Sequence, residues 1–156
     1  MIAKLLYVAD GDFYMSGINH LATGKINRRN IFMNILVLDD SDLMRGIIIK
    51  TLLEIGLEED QIHQAENGVQ ALRMLNSVTF DVLLLDVVMD GVDGIAVLKE
   101  AKIHQPTAKV IMCSTFSKSE TLKELIKIGI DDFVVKPFDS KRLKESVLKY
   151  MPIEPR

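Results

Sequence analysis

The sequence predicts an α/β fold in which five parallel strands form one doubly wound sheet. Two observations lead to this prediction. From Asn34 onward, short apolar runs alternate with longer stretches of helical periodicity, which is typical of repeated βα units. The runs are also almost continuously apolar, as expected of strands that helices cover on both faces.

The predicted strands are short and evenly distributed. They occupy residues 35–38, 62–65, 82–85, 109–113 and 133–135. The second strand is the most polar of the five, and we therefore expect it at an edge of the sheet. Crossovers between parallel strands are nearly always right-handed, which places helices on both faces of the sheet.

Five helical stretches alternate with these strands. Ser41 is a suitable N-cap for the first helix, and Gly56 is placed to end it. The spacing of four apolar residues predicts a single apolar face on this helix: Leu43, Ile47, Ile48 and Leu52. The other four helices are marked by an opening at Asn67, an end before Pro106, a cap at Ser117 or Ser119 with an end at Gly129, and an opening turn at Ser140.

Composition and charge restrict the class of protein. The net charge is −3, but residues 1–33 carry four basic and two acidic side chains, so the rest of the chain carries −5. An acidic body without a basic stripe argues against direct nucleic-acid binding. A single cysteine, Cys113, excludes an internal disulfide, and the apolar runs are too short to cross a bilayer. We expect a cytoplasmic protein without membrane insertion.

Residues 1–32 do not join the βα pattern. Residues 5–9 could form a strand, but several glycines interrupt the stretch after it, and Met33 stands directly before the first predicted strand, as an initiator would. We therefore expect an N-terminal extension outside the core at 1–32, one domain at 33–151 and a short tail at 152–156.

Polar residues lie directly after three of the predicted strands, at the point where each strand ends. Asp39 and Asp40 come after the first strand, Asp86 after the third, and Lys136 after the fifth. The carboxyl ends of parallel strands meet at one edge, where such sheets bind ligands. Clustered carboxylates repel one another and need a cation, and acidic oxygen ligands favour Mg²⁺. The pattern predicts a metal-assisted phosphoryl site.

Other acidic residues have simpler interpretations. We interpret Asp42 as a first-turn helix residue, Asp93 as a structural turn residue, and Asp131 and Asp132 as solvated side chains. Cys113 lies inside a predicted strand and is interpreted as a small buried hydrophobic residue.

Four segments carry a family resemblance: ILVLDDSDLMR, VLLLDVVMDGVDG, VIMCSTF and DDFVVKPF. In their order and spacing they resemble the CheY-like receiver domain of two-component response regulators, over about three quarters of the chain. The resemblance implies a flavodoxin-like (βα)5 fold. The short stretch after Tyr150 leads us to expect a stand-alone receiver.

The resemblance also implies the roles of the site residues. Asp86 is the phosphoacceptor, and it would bind Mg²⁺ together with Asp40 and the main-chain carbonyl of Val88. Asp39 would act through a bound water or as a further ligand. Lys136 would contact a phosphoryl oxygen.

A switch is implied as well. The Ser114 hydroxyl would bond a phosphoryl oxygen and the Phe133 ring would fill the vacated space, altering the surface of helix four, strand five and helix five. Pro137 resembles the family's cis proline. The phosphoryl group would come from a sensor histidine kinase or a phosphotransfer protein, and the altered surface would bind a downstream protein. Such a domain catalyses only its own phosphorylation and dephosphorylation.

Two alternatives remain open. The chain could be a receiver fragment of a larger transcriptional or enzymatic regulator. It could also be a phosphatase with an aspartyl nucleophile, which needs a second acid two residues after the first and a threonine or valine two further on. Asp86 lacks this pattern, and Asp40 matches it only in part, through Asp42, because Met44 occupies the last position.

Overall fold

The computed structural model describes residues 4–8, 12–16, 23–25, 32–115 and 119–152. Its strands are β1 Lys4–Val8, β2 Asp12–Ser16, β3 Thr23–Lys25, β4 Ile35–Leu38, β5 Ile62–Ala65, β6 Val82–Asp86, β7 Lys109–Ser114 and β8 Asp132–Val135. Its helices are α1 Asp42–Glu54, α2 Gly68–Leu75, α3 Gly94–His104, α4 Ser119–Ile128 and α5 Ser140–Leu148.

The strands β4 to β8 form one parallel sheet in the order β5-β4-β6-β7-β8. Counted from β4, this is the order 2-1-3-4-5 of flavodoxin-like folds, and the predicted doubly wound (βα)5 architecture is confirmed. The polar strand β5 lies at an edge, as predicted. After β4 the chain adds β5 on one side of β4 and then crosses over to add β6 on the other side. The pair β4 and β6 therefore forms the switch point where such sheets bind ligands.

Two apolar cores cover the two faces of the sheet, because successive side chains of a strand point to opposite faces. Ile35 and Val37 of β4 pack in one core with α1 and α5. Leu36 and Leu38 of the same strand pack in the other core with α2, α3 and α4. This double coverage explains why the strands read as continuous apolar runs.

The first three strands form a separate antiparallel sheet in the order β1-β2-β3. The strand suggested at residues 5–9 appears as Lys4–Val8, and it pairs with β2 and not with the parallel sheet. The strands β2 and β3 are not among the predicted elements. Their residues show no sustained period, and Gly24 within β3 resembles an interruption more than a strand residue.

The predicted helix starts are largely confirmed by their caps. Ser41 and Asn67 accept hydrogen bonds from main-chain N–H groups in the first turns of α1 and α2, as predicted. Asp93, interpreted from the sequence only as a structural turn residue, caps α3 in the same way. Asp139 caps α5, one residue before the predicted opening turn. The choice between Ser117 and Ser119 as cap of α4 depends on residue 117, which lies outside the described residues.

The single apolar face predicted for α1 is wrong. Ile48 and Leu52 are buried, but Leu43 is 76% exposed and Ile47 is 40% exposed. The inward face instead contains Arg45 and Thr51. Two neighbouring i, i+4 pairs have the same spacing, and only packing against the sheet and α5 selects the pair that is buried.

The interpretation of Asp131 and Asp132 as solvated residues is also wrong. Asp132 accepts hydrogen bonds from Arg142, Ser146 and Lys149 of α5 and its C-cap, with the Ser146 bond at 2.6 Å. Asp131 accepts from the main-chain N–H of Val110 at 2.9 Å. Burial opposes ionisation of Asp132, but these hydrogen bonds hold its pKa well below its usual range. The carboxylate joins β8 to α5.

We expect Asp132→Asn to lower the free energy of unfolding by about 2 kcal/mol at neutral pH, since bonds to a charged acceptor are lost. The native pKa of Asp132 lies below its unfolded value, so this stabilisation is complete above about pH 4 and is lost as the pH falls further. Urea melts from neutral to acidic pH measure the difference. Asp60→Asn, in an exposed turn, is the control. A difference that grows in acid would contradict the assignment.

None of the helices in the described part of the chain combines the length and apolar character needed to cross a bilayer.

Candidate functional site

Three carboxylates meet at the carboxyl edge of β4 and β6. Leu38 pairs with Leu85 in the sheet, so the next residue of each strand, Asp39 and Asp86, lie side by side. One carboxylate oxygen from each of Asp39, Asp40 and Asp86 lies within 4.8 Å of the other two. Asp39 and Asp86 are buried, and Asp40 is exposed. The predicted acidic cluster is therefore present at the switch point.

Lys136 provides the positive charge at this site. Its ammonium group lies 2.5 Å from Asp39 Oδ2 and 3.1 Å from Asp86 Oδ2. Burial raises the pKa of Asp86, and Lys136 only partly offsets this effect. Burial would lower the pKa of Lys136, but its contacts with Asp39 and Asp86 outweigh burial and raise it. The ammonium is therefore held charged between two carboxylates.

Main-chain groups fix the acidic side chains. The N–H of Ser41 donates to Asp39 Oδ1 at 2.9 Å, and the N–H of Val88 donates to Asp86 Oδ1 at 3.1 Å. Each carboxylate thus has one oxygen bonded to its own loop and the other bonded to Lys136. The peptide bond between Lys136 and Pro137 is cis, as the resemblance implied.

Two glycines hold the loop after Asp86. A Cβ atom at Gly94 would lie 1.8 Å from the carbonyl oxygen of Asp86, and one at Gly68 would lie 2.2 Å from the carbonyl oxygen of Val92. Atoms cannot approach so closely, so the first turns of α2 and α3 pack against this loop only because these residues have no side chain. Neither glycine is among the site residues predicted from the sequence.

The two predicted switch residues lie on β7 and β8. Ser114 is the last residue of β7 and follows Cys113, which pairs with Asp86. The Ser114 side chain is buried, and the Ser114 carbonyl accepts a hydrogen bond from the N–H of Lys136 at 2.8 Å. Phe133 pairs with Met112 in the middle of β8 and packs against the core formed with α2, α3 and α4. Cys113 is buried as predicted, and burial raises the pKa of its thiol to about 12.

The donor set fits Mg²⁺. It consists of carboxylate oxygens at one sheet edge, which are the ligands that this hard cation prefers. Mg²⁺ binds oxygens at about 2.1 Å, so opposite ligands stand roughly 4 Å apart. The carboxylate oxygens, within 4.8 Å of one another, need only small side-chain movements to reach that spacing. The exposed side of the cluster at Asp40 leaves room for water or substrate oxygens.

Comparison with known proteins agrees with this geometry. Residues 35–148 match the family described as response regulator receiver domain. The chain belongs to this receiver family. It is 36% identical over 115 residues to the chemotaxis protein CheY of Bacillus subtilis (strain 168), and the match covers 74% of this chain and 94% of that protein.

Two further relatives extend the comparison. The sporulation initiation phosphotransferase F of Bacillus subtilis (strain 168) is 31% identical over 120 residues, which cover 77% of this chain and 94% of that protein. The response regulator protein TrrA of Thermotoga maritima, solved in complex with Mg(2+)-BeF, superimposes with a TM-score of 0.67 at 34% identity. That match covers 76% of this receiver chain and 99% of TrrA.

Proposed function

We propose that this receiver accepts a phosphoryl group on Asp86 in a Mg²⁺-dependent reaction. The observation that carries the proposal is the position of the Asp86 carboxylate, 3.1 Å from Lys136 and clustered with Asp39 and Asp40. A nucleophilic carboxylate, an acidic cation site and a fixed ammonium are the parts that phosphoryl transfer to an aspartate needs.

The chemistry can be derived from these positions. An Asp86 oxygen forms a bond to phosphorus while the bond from phosphorus to the donor's histidine nitrogen, or to the acyl oxygen of a small donor, breaks. Lys136 stabilises the negative charge on the transferred phosphoryl group. Asp39, Asp40, Asp86 and the Val88 carbonyl would hold Mg²⁺. The ion neutralises phosphoryl charge when it is bound.

The same reaction indicates the partners. A sensor histidine kinase or a phosphotransfer protein is the donor, and a downstream protein binds the surface of α4, β8 and α5. Ser114 and Phe133 connect the site to this surface, because one ends β7 beside Asp86 and the other lies on β8. The domain acts in the cytoplasm, and its catalysis is limited to its own phosphorylation and dephosphorylation.

The test uses the full chain with acetyl phosphate and Mg²⁺, followed by intact-mass measurement. We expect one added phosphoryl group, and we expect none when EDTA removes the metal. Incorporation that is unaffected by EDTA would exclude the acidic cluster as the metal site. An unchanged mass with Mg²⁺ present would contradict the proposal itself.

We expect Lys136→Met to bind Mg²⁺ more tightly than wild type while responding poorly to phosphorylation. The variant loses a positive charge that lies among the metal's carboxylates. A unit charge and a divalent cation ~4 Å apart repel each other by roughly 2 kcal/mol even in water, or about thirtyfold in affinity. Calorimetric titration measures the change, with Lys123→Met on the exposed side of α4 as the control. Weaker Mg²⁺ binding would show that Lys136 does not compete with the ion.

A further inference from the structure

Arg45 is a charged residue on the inward face of α1, three residues before Ile48. Only 9% of its side chain is exposed. Its Nε atom is buried and has no hydrogen-bond partner among the described residues. Burying part of a guanidinium group without a partner opposes folding. The position of Arg45 must therefore be maintained by its other contacts.

The first of these contacts is with the backbone of the acidic pair. Arg45 Nη1 donates to the main-chain carbonyl oxygen of Asp39 at 2.7 Å, in a buried hydrogen bond. This carbonyl belongs to the peptide that joins Asp39 to Asp40. On the other side, the N–H of Asp39 donates to the carbonyl of Ala65 at 3.2 Å. Together the two bonds fix the direction in which the chain leaves β4, and hence the position of Asp40.

The guanidinium is itself held by carboxylates. Asp42, in the first turn of α1, accepts a hydrogen bond from Nη2, and Glu66, directly after β5, lies 4.0 Å from the same nitrogen. Arg45 thus connects α1 with the loops after β4 and β5. Because two carboxylates offset its charge, Arg45 adds little net positive charge near the acidic cluster.

We propose that Arg45 is a positioning residue for the acidic pair, which acts through the peptide between Asp39 and Asp40 to set the Mg²⁺ affinity of the site. This role rests on the proposed function. Groups that orient metal ligands contribute about ten- to a hundredfold to metal affinity. A charge acting alone would have the opposite effect, because a cation near the site disfavours Mg²⁺.

The test is Arg45→Met in the full chain. Calorimetry gives the Mg²⁺ affinity, and acetyl phosphate assays over a Mg²⁺ series give the half-saturating concentration and the maximal rate. We expect the half-saturating concentration to rise about tenfold. The maximal rate should stay near the wild-type value, because Asp86 and Lys136 are unchanged. A purely structural role would reduce the folded fraction and leave the half-saturating concentration unaltered.

Two variants complete the design. Arg45→Lys keeps the charge and one hydrogen-bond donor, and we expect its Mg²⁺ affinity to lie between those of Arg45→Met and wild type. If Arg45→Met folds poorly, the same measurements are made on Arg45→Lys. Arg73→Met makes the same change on the exposed side of α2 and should match wild type. Wild-type or tighter Mg²⁺ binding in Arg45→Met would overturn the positioning role of Arg45 and leave the proposed function standing. A wild-type protein that neither binds Mg²⁺ nor accepts phosphate would overturn the proposed function as well.

Discussion

Asp86→Asn should abolish phosphoryl incorporation from acetyl phosphate while leaving the fold intact. The amide has almost the volume of the carboxylate and can still accept from the N–H of Val88, so the loop keeps its contact. It lacks the nucleophilic charge, however, and the bond to phosphorus cannot form. Intact-mass measurement should show no added phosphoryl group, and thermal melts should show a folded protein.

The matched control is Asp60→Asn. Asp60 lies in the exposed turn before β5, at the amino end of that strand, whereas the acidic cluster lies at the carboxyl ends of the strands. This variant makes the same chemical change and should accept phosphate at the wild-type rate. If Asp86→Asn still gained one phosphoryl group, another residue would be the acceptor, and peptide mapping would identify it.

The parallel sheet and its helices could be predicted from the sequence, because the apolar runs of the strands and the periodicity of the helices are both local patterns. The five apolar runs are short and separated by helical periods, and the observed strands differ from the predicted ones by one residue at most, as at Asp132–Val135. Parallel strands then bring their carboxyl ends together. That rule accounts for the convergence of Asp39, Asp40, Asp86 and Lys136, although the contact of Lys136 with two carboxylates could not be derived from it.

Contacts between distant segments could not be predicted in the same way. Asp132 resembles a polar residue in a turn, and its partners Arg142 and Lys149 lie ten and seventeen positions further along the chain. Arg45 lies on the buried face of α1, three residues before Ile48, but this face is selected by packing and could not be identified from the spacing of the apolar residues. The roles of Ser114 and Phe133 as switch residues stay predictions.

The glycine contacts lead to the second large effect, a loss of stability in Gly94→Ala. The added Cβ would lie 1.8 Å from the carbonyl oxygen of Asp86 and 2.8 Å from its carbonyl carbon. Both are backbone atoms, which cannot move aside as a flexible side chain can. Either α3 shifts away from the sheet or the backbone of Asp86 moves. We expect a loss of about 3 kcal/mol in the free energy of unfolding, at the upper end of overpacking effects.

Gly46→Ala is the matched control for this substitution. Gly46 lies inside α1, and a Cβ there would meet nothing within 4 Å. Alanine is the better helix former, so this variant should gain about 0.5 to 1 kcal/mol. Urea melts of both variants give the two free energies, and phosphorylation of the folded fraction reports the position of Asp86. If Gly94→Ala were as stable as wild type and accepted phosphate at the same rate, the approach of α3 to the Asp86 backbone would be looser than the structure has it. We expect the same glycine-to-alanine change to destabilise the protein at position 94 and to stabilise it at position 46. This difference in sign attributes the loss to contact with the backbone of Asp86.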